Sequence, residues 1–499
     1  MSEQPVVAKP VAEFTAPGVP AQRAIGEHPL ALYVLYFTEM WERFCFYGMR
    51  ALLVYYMTEH VFLPGWKEKL VGHASIMSFL GLIFGEMSVQ EQSSQVYGLY
   101  SGFVYLTPLL GGIIADRLIG QRKSVFIGGI IMAIGEFVLC EERFFYFGLL
   151  LLIIGNGFFK PNISTQVGEL YPKGDDGRRD RAFMIFYVGI NLGAFLSPLV
   201  CGTLGEKVGW SWGFGSAGVG MILGLVVYAW GQRLLAPDNV MKRAASAKNV
   251  AKKAVEAVKP FTRAEWSRIT CLLVLCALNI PFWGVYEQQG NTLALWAKDD
   301  TDRFIFGWEV PASWFQSANP AFIFAFTPVI IAFWKWQATR GKEPSTTAKM
   351  AIGSGLLGAA YLMMMVPTVQ VEAGHKASMI WLLGSTLVLT LGELYLSPVG
   401  LSLVTKASPK RIVSMMMGMW FLSSFFGNYL SGYLGTFWDK MPKNGFFGLM
   451  AVISFVTCVA MLALIKPLNK ALDAESADGT TIGPGESATR EEDEDLHGR

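Results

Sequence analysis

Apolar stretches of about twenty residues recur along the whole chain, and they decide the fold class before any motif is read. Inside a bilayer each backbone N–H and C=O must be satisfied within its own segment, so such stretches are helices. Twelve spans are expected, at about 28–58, 93–116, 122–140, 144–170, 182–205, 211–234, 267–297, 311–337, 346–367, 376–405, 411–437 and 444–467. Charged residues make up only 16% of the 499, against about 25% in a soluble domain. The expectation is an all-α, multi-pass membrane protein embedded in a lipid bilayer. A net charge of +2 says little about partners and gives no reason to expect nucleic acid.

The loops set the expected orientation. Basic residues gather in alternate gaps: Arg117, Arg122 and Lys123; Lys173, Arg178, Arg179 and Arg181; Lys242 to Arg263; Arg340 to Lys349; Lys406, Lys410 and Arg411. The positive-inside rule then puts both termini in the cytoplasm. The expected organisation is a polar tail at 1–27, a six-span bundle at 28–234, an amphipathic cytoplasmic connector at 235–266, a second six-span bundle at 267–467, and an acidic disordered tail at 468–499. Residues 59–92 between the first two spans are mixed. Their stretch Ile76–Phe84 is apolar but too short to cross, and reads as a loop or an extended helix end outside the membrane. The six cysteines lack metal-like spacing and read as packing residues in a reduced setting.

The first span carries charge where lipid would not tolerate it. Glu39, Arg43, Phe46, Tyr47 and Arg50 fall on one side of a helix, with Glu42 at its edge. An unpaired charge at mid-bilayer costs from about 2.5 to above 10 kcal/mol. The stripe must therefore face a hydrated cavity or other charges; a salt bridge that only locks helices is the plain alternative. In span four Lys160 precedes Pro161 and needs a partner, for which Glu39 and Glu42 are the candidates. Asn156, Lys160 and Ser164 share a face, as do Tyr187 and Asn191 in span five, where interhelical glue is the alternative. Trp283, Glu287 and Asn291 follow at steps of four in span seven. Asn319 opens span eight, Glu393 sits alone in span ten, and Trp420 lies in span eleven. Tyr47, Tyr105, Phe282 and Trp283 are candidates for apolar side pockets. Gly111–Lys123 reads GGIIADRLIGQRK, with Asp116 at a helix start. Asp116, Arg117 and Arg122 read as a conformational latch, with plain topology charges as the alternative.

The two halves echo each other. IGNGFFKPNIS in span four and LGELYLSPVGL in span ten align Gly155 with Gly392 and Pro161 with Pro398, and set Lys160 opposite Ser397. Such repeats build two-bundle transporters with a site at the midplane. Cations (Arg43, Arg50, Lys160) come from the first half and carboxylates (Glu287, Glu393) from the second. A chamber between them would suit a zwitterion, its carboxylate toward Arg50 and Lys160 and its ammonium toward Glu393. No metal cluster, nucleophile motif or phosphate loop points to an enzyme.

EMWERFCFYG at Glu39–Gly48 resembles the signature of the proton-dependent oligopeptide transporter (peptide transporter) family. Gly111–Lys123, Phe183–Phe195, YEQQGN at Tyr286–Asn291, FQSANP at Phe315–Pro320 and GELYLSP at Gly392–Pro398 agree with it. The resemblance implies a major facilitator fold of twelve transmembrane helices in two six-helix bundles. It implies proton-driven import of di- and tripeptides across a plasma membrane, most simply a bacterial inner membrane. It implies protons as the coupling ion and no cofactor or metal. Glu39, Glu42, Arg43, Lys160 and Glu287 match the coupling positions. Arg50, Tyr105, Asn191, Trp283, Asn319, Glu393 and Trp420 match peptide-binding positions, and Tyr47 and Lys160 are added to that set. Three departures stand out. Phe46 replaces a signature tyrosine. Tyr97 is followed by Gly98 where some members carry a histidine. The connector is too short for two extra spans. The alternative reading is a major facilitator carrier of another small charged substrate, such as nitrate or a drug-like peptidomimetic.

Overall fold

A computed structural model of the chain describes residues 13–16, 19–172, 174–238, 261–409, 412–467 and 470. Among these, twelve helices have nineteen residues or more: Leu30–Tyr56, Val89–Ile114, Gln121–Leu139, Phe145–Glu169, Asp176–Ser197, Trp210–Gly231, Arg263–Tyr286, Ala318–Ala338, Thr346–Glu372, Met379–Ala407, Val413–Gly435 and Lys443–Ala463. Nine spans among the described residues are long and apolar enough to cross a membrane. Leu30–Tyr56, Gln121–Leu139 and Val413–Gly435 do not meet that measure. The first carries the charged stripe, the second Arg122, Lys123 and Glu136, and the third is diluted by Ser, Gly and Asn. Leu30–Tyr56 is largely buried and runs against Asp176–Ser197 and Trp210–Gly231, whereas the other two each turn exposed apolar side chains outward, such as Ile134 and Phe426.

Each half has its own core. The first gathers around Phe44, Met49, Tyr100, Phe159 and Phe214, the second around Phe282, Trp296, Tyr361, Phe446 and Phe447. Lipid tails are as apolar as leucine, so close packing rather than escape from water draws such helices together, and small residues permit it. The aligned glycines do this identically. A Cβ on Gly155 would lie 2.7 Å from the Gly128 carbonyl oxygen, and one on Gly392 would lie 2.7 Å from the Gly353 carbonyl oxygen. In each half, therefore, the fourth helix meets the third backbone to backbone at the same register point. Pro161, lacking an N–H, leaves the Gly157 carbonyl without its helical donor; Gly111 packs against that carbonyl.

Two departures from the sequence reading concern the ends of spans. Residues 13–16 and 19–29, assigned largely to a solvated tail, form a three-stranded antiparallel sheet: Glu13–Ala16, Val19–Ile25 and His28–Pro29. It docks on the bundle for a local reason. The first long helix begins after Pro29 with no side-chain cap, and Gln22 Oε1 accepts from the Ala31 N–H at 2.7 Å, while its Nε2 donates to the Leu234 carbonyl at 3.1 Å. The Arg263–Tyr286 helix is the second case. It tightens into a 3₁₀ turn at Glu287–Gly290 before a short helix, Thr292–Asp299. Asn291 consequently leaves the face shared by Trp283 and Glu287. The middle of the expected amphipathic connector, 239–260, and the acidic tail beyond 470 lie outside the described residues.

Candidate functional site

A cavity of about 340 Å³ opens between the halves. The first half contributes Tyr47, Arg50, Tyr105, Lys160, Tyr187 and Asn191; the second contributes Trp283, Glu287, Asn319, Glu393, Ser397 and Trp420. All nine expected substrate-binding side chains, together with Glu287, are therefore on its wall. Phe282 is not among the cavity residues; it is a buried core residue.

Arg50 reaches across the interface. Its guanidinium ion-pairs with Glu287, and its Nε donates to the Tyr97 hydroxyl at 2.8 Å. The 3₁₀ turn after Tyr286 aims the Glu287 carboxylate at it. Glu287 is buried and Arg50 partly so, so the carboxylate depends on the guanidinium: without it a desolvated charge is left unpaired.

Glu393 is held differently. Its carboxylate accepts from the Tyr286 hydroxyl at 2.5 Å and from Asn319 Nδ2 at 3.0 Å. Asn319 is fixed in turn by Thr390 Oγ1 at 2.9 Å. Lys160 lies on the opposite half with its Nζ 5.0 Å from the centre of the Tyr105 ring. Among the described residues no cation pairs with Glu393 and no carboxylate pairs with Lys160. Trp283 Nε1 is buried on the same wall without a partner. One wall thus offers an ammonium outside any direct ion pair, the other a carboxylate held by neutral donors.

Lys160 makes no direct ion pair with Glu39 or Glu42 among the described residues, although both carboxylates act on its charge from nearby. Arg43 is the direct partner of both: it bonds both oxygens of Glu42, with Nη2 to Oε1 at 2.5 Å, and its Nε lies 3.4 Å from Glu39 Oε1. Asn156 Nδ2 donates to Glu42 Oε1 at 3.3 Å. Glu39, Glu42 and Arg43 are all buried within the first half, and only Tyr47 and Arg50 from this stripe reach the cavity. The stripe divides because Arg43 has two carboxylates within reach on its own helix.

Comparisons with known proteins give the family. The family model of the POT family matches residues 122–270 and 240–453. A peptide transporter of Yersinia enterocolitica is 32% identical, covering 92% of this chain and 98% of its own. A di-/tripeptide transporter of Lactococcus lactis subsp. cremoris is 31% identical, covering 89% and 96%.

The chain belongs to the POT family.

A crystal structure of a mutant POT peptide transporter in complex with alafosfalin superposes with a TM-score of 0.77 at 32% identity, covering 91% of this chain and 98% of that one. This POT chain accordingly has the major facilitator architecture expected of it. Its latch loop departs from expectation. Asp116 lies in a π-helical turn, Ala115–Ile119, at the end of the second long helix rather than at the start of the third. The acid at that start is Asp238, whose Oδ1 accepts from the Arg122 N–H at 3.1 Å. Arg122 also donates to the Gln232 carbonyl at 2.5 Å, while Asp116 and Arg117 stay exposed. Sequence reasoning missed Tyr97 as a partner of Arg50, and Tyr286 as a partner of Glu393. Tyr286 opens the YEQQGN block, which is the signal that was available. It also missed Glu136, a fully buried acid whose Oε1 accepts from the Cys45 thiol at 3.2 Å.

Proposed function

We propose that this POT family member imports di- and tripeptides together with protons by alternating access. The observation that carries the reading is the pair of opposite charges, Lys160 and Glu393, held outside any direct ion pair on the walls of one cavity. A peptide's ammonium would meet Glu393 and Asn319, and its carboxylate would meet Lys160 and Arg50. Tyr47, Tyr105, Asn191, Trp283 and Trp420 supply the surrounding surface. A simple anion has no use for Glu393, which argues against the nitrate-like alternative. The volume is near the lower end of the roughly 300–1,000 Å³ typical of small-molecule sites.

In this reading protonation of Glu287 releases Arg50 for the substrate and unties the halves. The Glu39, Glu42 and Arg43 cluster is a second place for a proton to act. Twelve spans with both termini and the basic loops in the cytoplasm, in a bacterial inner membrane, complete the reading; the carrier performs no covalent chemistry and uses no cofactor. Glu287→Gln in proteoliposomes tests it. Accumulation driven by a proton gradient should fall to the level of passive exchange, while gradient-free counterflow of labelled dipeptide persists. Undiminished driven accumulation would remove Glu287 from the mechanism. Competition by di-, tri- and tetrapeptides, and by nitrate, fixes the substrate class independently.

A further inference from the structure

Residues 70–85 contain no Asp, Glu, Lys or Arg, although Lys69 precedes them and Glu86 follows. They were expected to lie outside the membrane. Within them His73–Phe84 forms a helix of its own, about 18 Å long at 1.5 Å per residue, too short to cross. Its two ends rest on the ends of two different spans. At one, the Val71 N–H donates to the Arg143 carbonyl at 3.0 Å, and His73 Nδ1 shares a hydrogen bond of 2.8 Å with the Tyr146 hydroxyl, at the start of Phe145–Glu169. At the other, the Phe84 ring lies 6.1 Å from that of Tyr433, near the end of Val413–Gly435. The helix thus runs across the bundle ends, along the membrane plane.

Leu80 is buried against the protein, whereas Phe79, Leu82 and Ile83, at helical spacing i, i+3 and i+4, are 63%, 84% and 60% exposed. A helix face turned to water normally carries charge; this one carries none. Exposed apolar side chains also stand on the spans it touches, at Phe147 and Tyr433, and at Phe144 just before the first of them. An apolar face at the rim of a bilayer buries itself about 5–10 Å into the headgroup and acyl boundary.

We propose that the His73–Phe84 helix is an interfacial membrane helix, with Phe79, Leu82 and Ile83 seated among the acyl chains of the leaflet away from the basic loops. The segment precedes the residues matched by the family model, which begin at 122. Because it touches the first half at Tyr146 and the second at Tyr433, it ties both halves to that leaflet.

The test uses full-length protein in liposomes of phosphatidylethanolamine and phosphatidylglycerol. Single cysteines at Leu82 and Lys69, introduced into a chain whose six native cysteines are replaced, carry a nitroxide. At position 82, collision with oxygen should exceed collision with a water-soluble nickel chelate severalfold, and the order should reverse at 69. Preferential nickel collision at 82 would mean a water-exposed helix and overturn the proposal. Low collision with both would mean a protein contact, such as a second copy, and overturn it equally. The unsubstituted protein gives a second readout: a phospholipid with a photoreactive group in its acyl chain should crosslink to the 73–84 peptide. Adducts on the neighbouring spans but none on that peptide would also overturn it.

Discussion

Glu393 and Arg50 show how two partly buried charges of opposite sign are managed by different means. Arg50 is neutralised by an ion pair that crosses the halves, whereas Glu393 is held by the Tyr286 hydroxyl and the Asn319 amide and keeps its charge available. Hydrogen bonds to charged groups contribute about 1.5–3 kcal/mol. Glu393→Gln is therefore expected to weaken binding of dipeptides with a free amino terminus on the order of ten- to a hundredfold, and to affect amino-blocked analogues much less. Isothermal titration of both ligand classes onto the purified variant measures the difference. At this scale the sequence was informative about which residues converge and poor about who pairs with whom. Helical spacing assigns Arg50, Lys160 and Glu287 to inward faces. It does not reveal that Arg43 captures both neighbouring carboxylates, because that depends on side-chain reach rather than register.

Elements were legible where periodicity is long and failed where an ending depends on a distant residue. The twelve long helices follow the apolar runs closely. The N-terminal strands were missed because their support comes from elsewhere: Gln22 serves the uncapped helix start, and His28 Nδ1 shares a 2.7 Å hydrogen bond with the Tyr171 hydroxyl, more than 140 residues away. Burial lowers the pKa of His28 below its ordinary 6.5; Arg181 and Arg178 add to the effect, while Glu27 and Asp175 oppose it. The sign follows directly. Unfolded chain binds the proton more readily, so the stability contributed by neutral His28 is present above about pH 6.5 and is lost as pH falls through the folded value. Protection factors across residues 19–31, with exchange corrected for its intrinsic pH dependence, should fall on mild acidification, and His28→Gln should flatten that fall. Unchanged protection in the parent protein would discount the effect. The break after Tyr286 had no signal in spacing alone, since Trp283, Glu287 and Asn291 fit an unbroken helix equally well.

For the whole molecule, contacts between the halves among the described residues gather at one end. Ser94 Oγ donates to Asn291 Oδ1 at 2.9 Å, and the Tyr55 hydroxyl to the Ala294 carbonyl at 2.9 Å. Trp314 Nε1 donates to Thr203 Oγ1 at 2.8 Å, and Lys298 pairs with Glu59. Gly98 and Gly432 meet so closely that a Cβ on Gly98 would lie 2.6 Å from the Gly432 Cα. Glu206 is the most demanding of these contacts. Its two carboxylate oxygens accept from the consecutive N–H groups of Ala312 and Ser313, both at 2.8 Å. Glu206→Ala leaves both donors unmatched when the halves close, and is expected to shift the resting population toward opening at this end on the order of tenfold. The labelling rate of a cavity cysteine, Ser424→Cys, by a membrane-impermeant maleimide added outside reports that shift; an unaltered rate would show the contact to be incidental. The repeat within the sequence forecast two bundles and a midplane cavity. Which end would be shut was not legible, because a repeat describes both conformers equally.

The carboxylate of Glu206 across the backbone of Ala312 and Ser313 has a practical consequence. With the proposed orientation, basic loops inside, a carrier fastened on that face turns a shut door to whatever arrives from outside. Ligand added to sealed vesicles with the natural sidedness should find fewer vacant seats than the same ligand added to solubilised protein, where both faces are bathed alike.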